Sequence, residues 1–199
     1  MHWLIIRIFI MSRLGEILAF FMYGDIPTRY FIKRGMTVGK NFNRQSGTRL
    51  DPSHCWLISI GDDVTLSNKV QILAHDDTTR IYTGYGRIGR VLIGNRVFVG
   101  ASTTILMNTK IGDDVIIGAG SVVTKDIPDD SVVVGNPARV IGKTSEFIAR
   151  EKDRMKQSVC YDKSYSYYHS VGLEKKKEMQ EFFSKNPQIG YLELGKYSD

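Results

Sequence analysis

A chain of 199 residues has room for one solenoid domain with appendages, or for one domain plus a small second one. Its formal net charge of +6 permits an anionic partner, but the basic residues do not form a dense cluster with interleaved aromatic residues. This distribution argues against nucleic acid and favours a phosphorylated cofactor. The two cysteines, Cys55 and Cys160, exclude a disulfide framework and indicate a reducing, cytoplasmic setting.

Residues 1–23 are apolar but carry Arg7, Arg13 and Glu16. These charges leave no stretch near the roughly 20 residues that a membrane span needs, and no small-residue cleavage site of a signal peptide follows. We therefore expect residues 1–35 to form an N-terminal apolar helical segment, with the helix itself in residues 1–23. The segment either packs against the solenoid or a neighbouring subunit, or lies on the inner face of the membrane with its arginines toward lipid headgroups.

After an irregular link at residues 24–34, a six-residue pattern begins. It is imperfect near Val38 and Leu50 and becomes regular from Ile60, with an aliphatic residue at every sixth position. Between Val38 and Ile60 the phase slips by four residues, so we expect an insertion near residues 54–59. Such an insertion fits the corner of a repeating coil, where a loop bulges without breaking the stack.

The pattern disappears between His75 and Leu92, in a polar segment that contains three glycines. We expect an extended loop at residues 75–92, thrown out from a coil before the repeat resumes at Ile93. Loops on a rigid scaffold are where binding and catalytic residues concentrate. This loop is therefore the first place to expect chemistry.

The clearest repeat runs from Ile93 to Lys125. The first position of each block of six is aliphatic, at Ile93, Val99, Ile105, Ile111, Ile117 and Val123. Glycine follows directly in four of these blocks, and a small or branched residue stands at the fifth position. A period of six fits neither the 3.6 residues per turn of a helix nor the alternation of a simple strand. It predicts a parallel β-helix in which three hexads close a triangular coil of about 18 residues, with aliphatic side chains inside and small residues at the corners.

The β-helix domain is expected to span residues 36–143, with a last strand at 132–134. Beyond it the composition becomes highly charged, and residues 146–157 and 173–185 predict helices. Residues 144–199 are thus expected to be a helical C-terminal extension whose last twelve residues are poorly ordered. Extra packing on the assembled protein and a partner-binding or substrate-capping role both remain open for it.

The runs IGAGSVVTKDIP at 117–128 and GNPARVI at 135–141 resemble those of the hexapeptide-repeat acyltransferases. Within that family they look most like the sugar O-acetyltransferases, which include maltose and galactoside acetyltransferases, and the overall shape is similar to acetyltransferases of capsule and O-antigen pathways. The resemblance implies a left-handed β-helix, acetyl-CoA as the acetyl donor, and a homotrimer with each site between adjacent subunits. The implied acceptor is a hydroxyl of a sugar or surface-polysaccharide precursor.

The resemblance assigns the catalytic base to His75, which stands at the root of the extended loop in ILAHDDTTR. An imidazole with an unperturbed pKa near 6.5 is largely neutral yet basic at cytoplasmic pH, so it suits removal of a proton from the acceptor hydroxyl. Asp76 and Asp77 adjoin this base and are expected to orient the imidazole or to bind sugar hydroxyls.

The resemblance also places residues along acetyl-CoA. Small residues let the pantetheine arm pass, a backbone N–H near Ala101 faces the developing oxyanion, and cations answer the phosphates. Phe98 stands where the family commonly has tryptophan. The implied cofactor-binding residues are Phe98, Ala101, Ala119, Thr124, Lys125, Arg139 and Lys143.

Other functions remain open at this point. The acceptor is an amine in two alternatives, an N-acetyltransferase of a nucleotide-linked amino sugar and a serine acetyltransferase-like enzyme. A further alternative is a noncatalytic β-helix scaffold or a carbonic-anhydrase-like protein, which needs three metal-binding histidines and would have to recruit His54. Stacking of coils could bring His54 near His75, although no pair has the spacing of metal ligands, so we expect no metal.

Overall fold

The computed structural model describes residues 25–166 and 169–195, so the predicted N-terminal helix over residues 1–23 lies outside the described part of the chain. The chain separates into two compact units, Met1–Thr144 and Ser145–Asp199. Across the described ranges, no helix has both the length and the apolar composition that crossing a bilayer requires.

The first unit begins with helix α1 (Thr28–Lys33), where the sequence predicted an irregular link. Pro27 immediately precedes the helix, a position at which the missing N–H of proline carries no penalty. Phe31 is buried and belongs to the hydrophobic core. The expectation of an irregular link was wrong because this contact with the core stabilises a helix too short to be predicted from its own sequence.

Short strands follow α1. In chain order they are β1 (Thr37–Val38), β2 (Asn43–Arg44), β3 (Arg49–Leu50), β4 (Ile58–Ile60), β5 (Thr65–Leu66), β6 (Gln71–Ile72), β7 (His75–Asp76), β8 (Arg87–Ile88), β9 (Val91–Ile93), β10 (Phe98–Val99), β11 (Thr104–Ile105), β12 (Thr109–Ile111), β13 (Ile116–Ile117), β14 (Val122–Val123), β15 (Val132–Val134) and β16 (Arg139–Gly142). Helix α2 (Arg80–Thr83) lies between β7 and β8.

Three sheets form the faces of a prism. Face A consists of β1, β4, β9 and β12, face B of β2, β5, β10, β13, β15 and β16, and face C of β3, β6, β11 and β14. Neighbouring strands pair in parallel, except that β16 returns antiparallel along β15. Each circuit of the chain therefore passes through faces A, B and C in turn, which confirms the parallel β-helix that the six-residue period predicted.

The interior of the prism is filled by the aliphatic residue of each hexad. The side chains in the first position are buried at Ile60, Leu66, Ile72, Ile93, Val99, Ile105, Ile111, Ile117, Val123 and Val133. The small or branched fifth positions are buried too, at Val64, Val70, Val97, Thr103, Thr109, Val115 and Ser121. Stacking of like residues in successive coils thus makes one continuous core, and no single coil could bury these side chains alone.

Glycine at the corner between faces A and B is required by the close approach of coils. A Cβ on Gly94 would lie 2.7 Å from the carbonyl carbon of Gly112 in the next coil. The next residue, Asn95, donates its backbone N–H to Asp113 Oδ1 at 2.8 Å. The left-handed backbone position of this corner is taken by other residues, among them Asp63 and Asp114. Glycine is therefore required at this corner because the next coil leaves no space for a Cβ. It is not required by a left-handed backbone conformation.

Two irregularities distort the corner between faces C and A, which we call the third corner (residues 51–57, 73–90, 106–108 and 124–126). Leu50 pairs with Ile72, whereas in a regular coil Ile105 pairs with Val123. The earlier coil is longer by four residues because a 3₁₀ helix at Cys55–Leu57 adds length. The four-residue slip predicted near residues 54–59 is this insertion. The second irregularity is residues 75–89, which leave the coil as an antiparallel hairpin of β7 and β8.

The second unit holds helices α3 (Thr144–Lys156) and α4 (Leu173–Lys185), close to the two helices predicted from charge patterning. Strand β17 (Cys160–Tyr161) pairs in parallel with β18 (Tyr191–Leu192). This pairing falls within the last twelve residues, which the sequence predicted to be poorly ordered. That prediction was wrong for Tyr191 and Leu192, because their partner strand precedes helix α4 and local composition gives no sign of it.

Candidate active site

His75 begins the hairpin at the third corner. The buried residues Ile72 and Ala74 fix the backbone on one side, and the pairing of His75 with Ile88 fixes it on the other. The imidazole is about one third exposed, at 32%. A ring with a fixed backbone and an open edge is able to exchange a proton with a bound molecule.

The imidazole is held by Asp51, which lies one coil earlier at the same corner. Asp51 Oδ2 lies 2.5 Å from His75 Nδ1 and also accepts the backbone N–H of Ala74 at 2.8 Å. Its other oxygen accepts the backbone N–H groups of Ser53 at 2.9 Å and His54 at 3.0 Å. The side chain of Asp51 is fully buried. Four donors thus converge on one buried carboxylate, which fixes both the loop and the ring.

These contacts determine the protonation state of the pair. Burial opposes ionisation of Asp51, but hydrogen bonds from His75 and from three backbone N–H groups outweigh it and lower the pKa of this carboxyl. An ionised carboxylate only accepts hydrogen bonds, so Nδ1 of His75 carries the proton and Nε2 keeps its lone pair. The hydrogen bond to Asp51 raises the pKa of His75, despite partial burial, and makes it a stronger base.

His54 lies beside this pair. Its ring centroid is 5.3 Å from that of His75 and 5.3 Å from that of Trp56. The sequence raised this proximity as one possibility, and the structure confirms it. Nδ1 of His54 is buried and has no hydrogen-bond partner within the described ranges.

Asp76 and Asp77 face the hairpin. Asp76 pairs with Arg87 across β7 and β8 and accepts the backbone N–H of Thr78 at 2.7 Å. These contacts, the N–H of Thr78 first, lower the pKa of Asp76 to about 2. Asp77 is exposed and lies 3.6 Å from Arg80. The carboxylate that contacts the imidazole is therefore Asp51, so the expected role of Asp76 or Asp77 in orienting it was wrong, while their role in binding sugar hydroxyls stays a prediction.

Asp51 was not predicted from the sequence because the insertion in its coil hides its alignment with His75. Counting back one regular coil from His75 leads to Leu57, whereas the pairing of Leu50 with Ile72 makes the coil here four residues longer. With that length, the segment Asp51–His54 aligns with residues 73–76. The four-residue phase slip was visible in the sequence and, if applied, would have placed an acid and a second histidine beside the base.

The expected cofactor residues are spread over several parts of the β-helix. Phe98, on face B, is exposed, and Ala101 and Ala119 stack in successive coils at the corner between faces B and C. The backbone N–H of Gly120 donates to Ala101 O at 2.8 Å, which ties these two coils together. A surface formed by small residues lets an extended group, such as the pantetheine arm, lie close to the backbone.

Thr124 and the basic members of the set lie elsewhere. Thr124 and Lys125 are exposed at the third corner, two coils after His75. Arg139 begins β16 and Lys143 follows its end, and both are exposed. Within one chain, Thr124 and Lys125 thus lie at the same corner as the imidazole of His75. Ala101 and Ala119 lie at the opposite edge of face C, away from that imidazole.

Residues 90–125 match the family described as bacterial transferase hexapeptide (six repeats). The chain is 34% identical over 154 residues to YvoF of Bacillus subtilis, whose name places it among the acetyltransferases without a substrate, and the alignment covers 77% of this chain and 84% of that protein. It is 37% identical over 84 residues to dTDP-3-amino-3,6-dideoxy-α-D-galactopyranose 3-N-acetyltransferase of Aneurinibacillus thermoaerophilus. That alignment covers 42% of this chain and 44% of the enzyme, less than half of each.

Among solved structures, galactoside acetyltransferase in complex with coenzyme A is similar, with a TM-score of 0.51 and 26% identity. The match covers 69% of this chain and 81% of that one. Since the Bacillus subtilis relative aligns over most of both sequences and the coils follow the six-residue period, the chain belongs to the hexapeptide-repeat family of bacterial transferases.

Proposed function

We propose that the protein is an acetyl-CoA-dependent O-acetyltransferase that modifies a hydroxyl of a sugar or surface-polysaccharide precursor. The observation that carries the proposal is the Asp51–His75 pair at 2.5 Å, with an imidazole that is about one third exposed at the root of the hairpin. A carboxylate that fixes the tautomer of a partly exposed imidazole is the arrangement that general-base catalysis requires.

The reaction needs one proton acceptor and no covalent enzyme intermediate. Nε2 of His75 takes the proton of the acceptor hydroxyl as its oxygen attacks the thioester carbonyl. The new C–O bond gives a tetrahedral intermediate, and the C–S bond then breaks. The CoA thiolate leaves with the proton that His75 returns. Asp51 stays ionised and stabilises the imidazolium while the proton is on the ring.

In this proposal acetyl-CoA lies along the coils between two subunits of a homotrimer. Ala101 and Ala119 leave room for the pantetheine arm, beside the exposed ring of Phe98. Thr124, Lys125, Arg139 and Lys143 supply polar and cationic groups for the phosphates. The two alanines and Lys125 lie at opposite edges of face C, which supports a site made by two chains, since each chain would contribute one edge. The similar galactoside acetyltransferase was solved with coenzyme A bound, which supports the choice of donor.

The acceptor assignment rests on relatives that act on sugars. Galactoside acetyltransferase supports a sugar hydroxyl, and Asp76 and Asp77 at the hairpin would bind neighbouring hydroxyls. A second candidate is N-acetylation of a nucleotide-linked amino sugar, favoured by the identity to the dTDP-amino-sugar enzyme. We further propose that the protein acts in the cytoplasm, with residues 1–23 either packed on the protein or held at the inner face of the membrane.

The test is release of free CoA thiol from acetyl-CoA in the presence of a panel of sugars and dTDP-amino sugars. We expect turnover with a neutral sugar and a loss of about 10²- to 10⁴-fold in His75→Ala. Equal activity of the variant and the wild type would show that His75 is not the base. Turnover confined to amino sugars would select the second candidate.

A further inference from the structure

Three metal-competent side chains meet at the third corner. Asp51, His54 and His75 each offer one ligand atom, and these atoms all lie within 4.8 Å of one another. Asp51 is buried, and both histidines are half-buried. In the part of the chain that the structure describes, this is the one group of three or more such residues.

His54 supplies an independent sign that the cluster takes a ligand. Its Nδ1 is buried, and within the described ranges no protein group donates to it or accepts from it. A buried ring nitrogen without a partner loses its hydration and gains nothing in return, so it is a site where a ligand is expected. The ring packs at a tilt against the rings of Trp56 and His75, with both centroids 5.3 Å away, so its near neighbours include the other histidine of the cluster.

We propose that Asp51, His54 and His75 form a binding site for a zinc-class divalent ion, and that occupation of this site inhibits the enzyme. Two imidazoles and one carboxylate are the ligands that zinc and similar first-row ions prefer, whereas magnesium and calcium need a shell of oxygen ligands. Bonds of about 2.0–2.2 Å in tetrahedral geometry place ligand atoms about 3.3 Å apart, so small rotations of the two rings bring the ligands into range.

Inhibition follows from which groups the ion uses. Metal coordination takes a lone pair of His75 and draws the carboxylate of Asp51 away from its hydrogen bond with Nδ1. The imidazole then cannot accept the proton of an acceptor. This second half of the inference rests on the proposed function, because only an enzyme that uses His75 as a base loses activity in this way.

The first experiment measures binding alone, in the full chain. Zn²⁺ is titrated against a chromophoric chelator, and the wild type is expected to compete for one ion per chain. His54→Gln should weaken the competition by at least about tenfold. His169→Gln is the matched control, because this histidine lies in the other unit and its Nδ1 is already hydrogen-bonded to Ser166 Oγ at 2.9 Å. Mg²⁺ should not compete.

Failure to compete, or equal competition by His54→Gln, would overturn the site and leave water as the partner of Nδ1. If His54→Gln lowers the melting temperature, His54→Phe keeps an aromatic ring between Trp56 and His75 while removing both nitrogens, and the same weakening is expected of it. Weakening by His169→Gln as well would show that the ion binds histidines generally and would also overturn the site.

The second experiment follows CoA release against Zn²⁺ concentration, with each variant compared with its own metal-free rate. Half-inhibition should require at least about tenfold more Zn²⁺ in His54→Gln than in wild type or His169→Gln. Binding without inhibition would overturn the inhibitory role while the site stands. Absence of acetyl transfer under all conditions would count against the proposed function, and the binding experiment would still decide the site.

Discussion

Replacement of Asp51 by Asn tests the geometry of the base with almost no change of volume. The carboxylate accepts four hydrogen bonds, two on each oxygen, and its side chain is fully buried. An asparagine has one acceptor oxygen and one NH₂ group. If the oxygen keeps the N–H groups of Ser53 and His54, the NH₂ group faces the N–H of Ala74 and Nδ1 of His75.

Two consequences of Asp51→Asn have different sizes. The N–H of Ala74 loses its acceptor while buried, which should lower the free energy of unfolding by about 1–3 kcal/mol. The NH₂ group donates to Nδ1 of His75 and so moves the ring proton to Nε2, the nitrogen that should accept the proton of the substrate. With the lone pair on the wrong nitrogen, turnover should fall by about 10²- to 10⁴-fold.

The assay compares the turnover of CoA release with the melting temperature of each variant. Asp114→Asn is the control, because Asp114 also accepts a side-chain hydrogen bond, from Arg96 at 2.7 Å, but at an exposed corner. We expect its loss to change stability by less than about 1 kcal/mol and to leave turnover unchanged. Wild-type turnover in a folded Asp51→Asn protein would refute the role of the carboxylate in fixing the tautomer.

Three further predictions concern the pH dependence of the base, the binding of acetyl-CoA and the packing of the coils. His75 acts as a base only when neutral, and its hydrogen bond to Asp51 raises its pKa above 6.5. We therefore expect kcat/KM to rise with pH and to level off above the pKa of His75. A midpoint of this profile below pH 6.5 would contradict the prediction. Arg139→Ala should raise the KM for acetyl-CoA more than it lowers kcat, and an unchanged KM would exclude a phosphate contact. Gly94→Ala forces a Cβ against the next coil and should lower the free energy of unfolding by about 2 kcal/mol or more, as measured by thermal unfolding. Gly142 has open space around it, so Gly142→Ala should have little effect. Equal melting temperatures of the two variants would contradict the close approach of coils.

The parallel β-helix was predictable because the six-residue period recurs through residues 60–74 and 93–125, whereas its left-handedness was implied only by the family resemblance. The buried Ile105, Ile111 and Ile117 stand six residues apart, a spacing that places successive members on three faces in turn. An extended loop at residues 75–92 was predictable for the opposite reason, since the period stops at His75 and resumes at Ile93, but its pairing as the β7–β8 hairpin was not predicted. In a repeating fold, a break in the sequence period therefore indicates where the chain leaves the regular coil.

What the sequence did not predict depends on contacts between distant segments. Helix α1 is stabilised by burial of Phe31, and β18 by pairing with β17, and neither has a local pattern. Asp51 reaches His75 only after a four-residue insertion is counted into the coil length. The charge on these two side chains depends on four converging hydrogen bonds, which no spacing of residue types specifies.

The expected cofactor residues do not form one continuous site within a single chain. Phe98 and Ala101 lie near one edge of face C, and Lys125 lies at the other. The family resemblance supplied these residues one by one, without saying which of them belong to the same subunit. Their separation on the coil is the physical basis for proposing that two chains share each site.

A structure of the full chain with CoA bound tests the central claim most directly. We expect the CoA sulfur beside Nε2 of His75, with space for an acceptor oxygen about 3 Å from that nitrogen, and with Ala101 and Ala119 against the pantetheine arm. A sulfur held where the imidazole of no subunit reaches it would contradict the account.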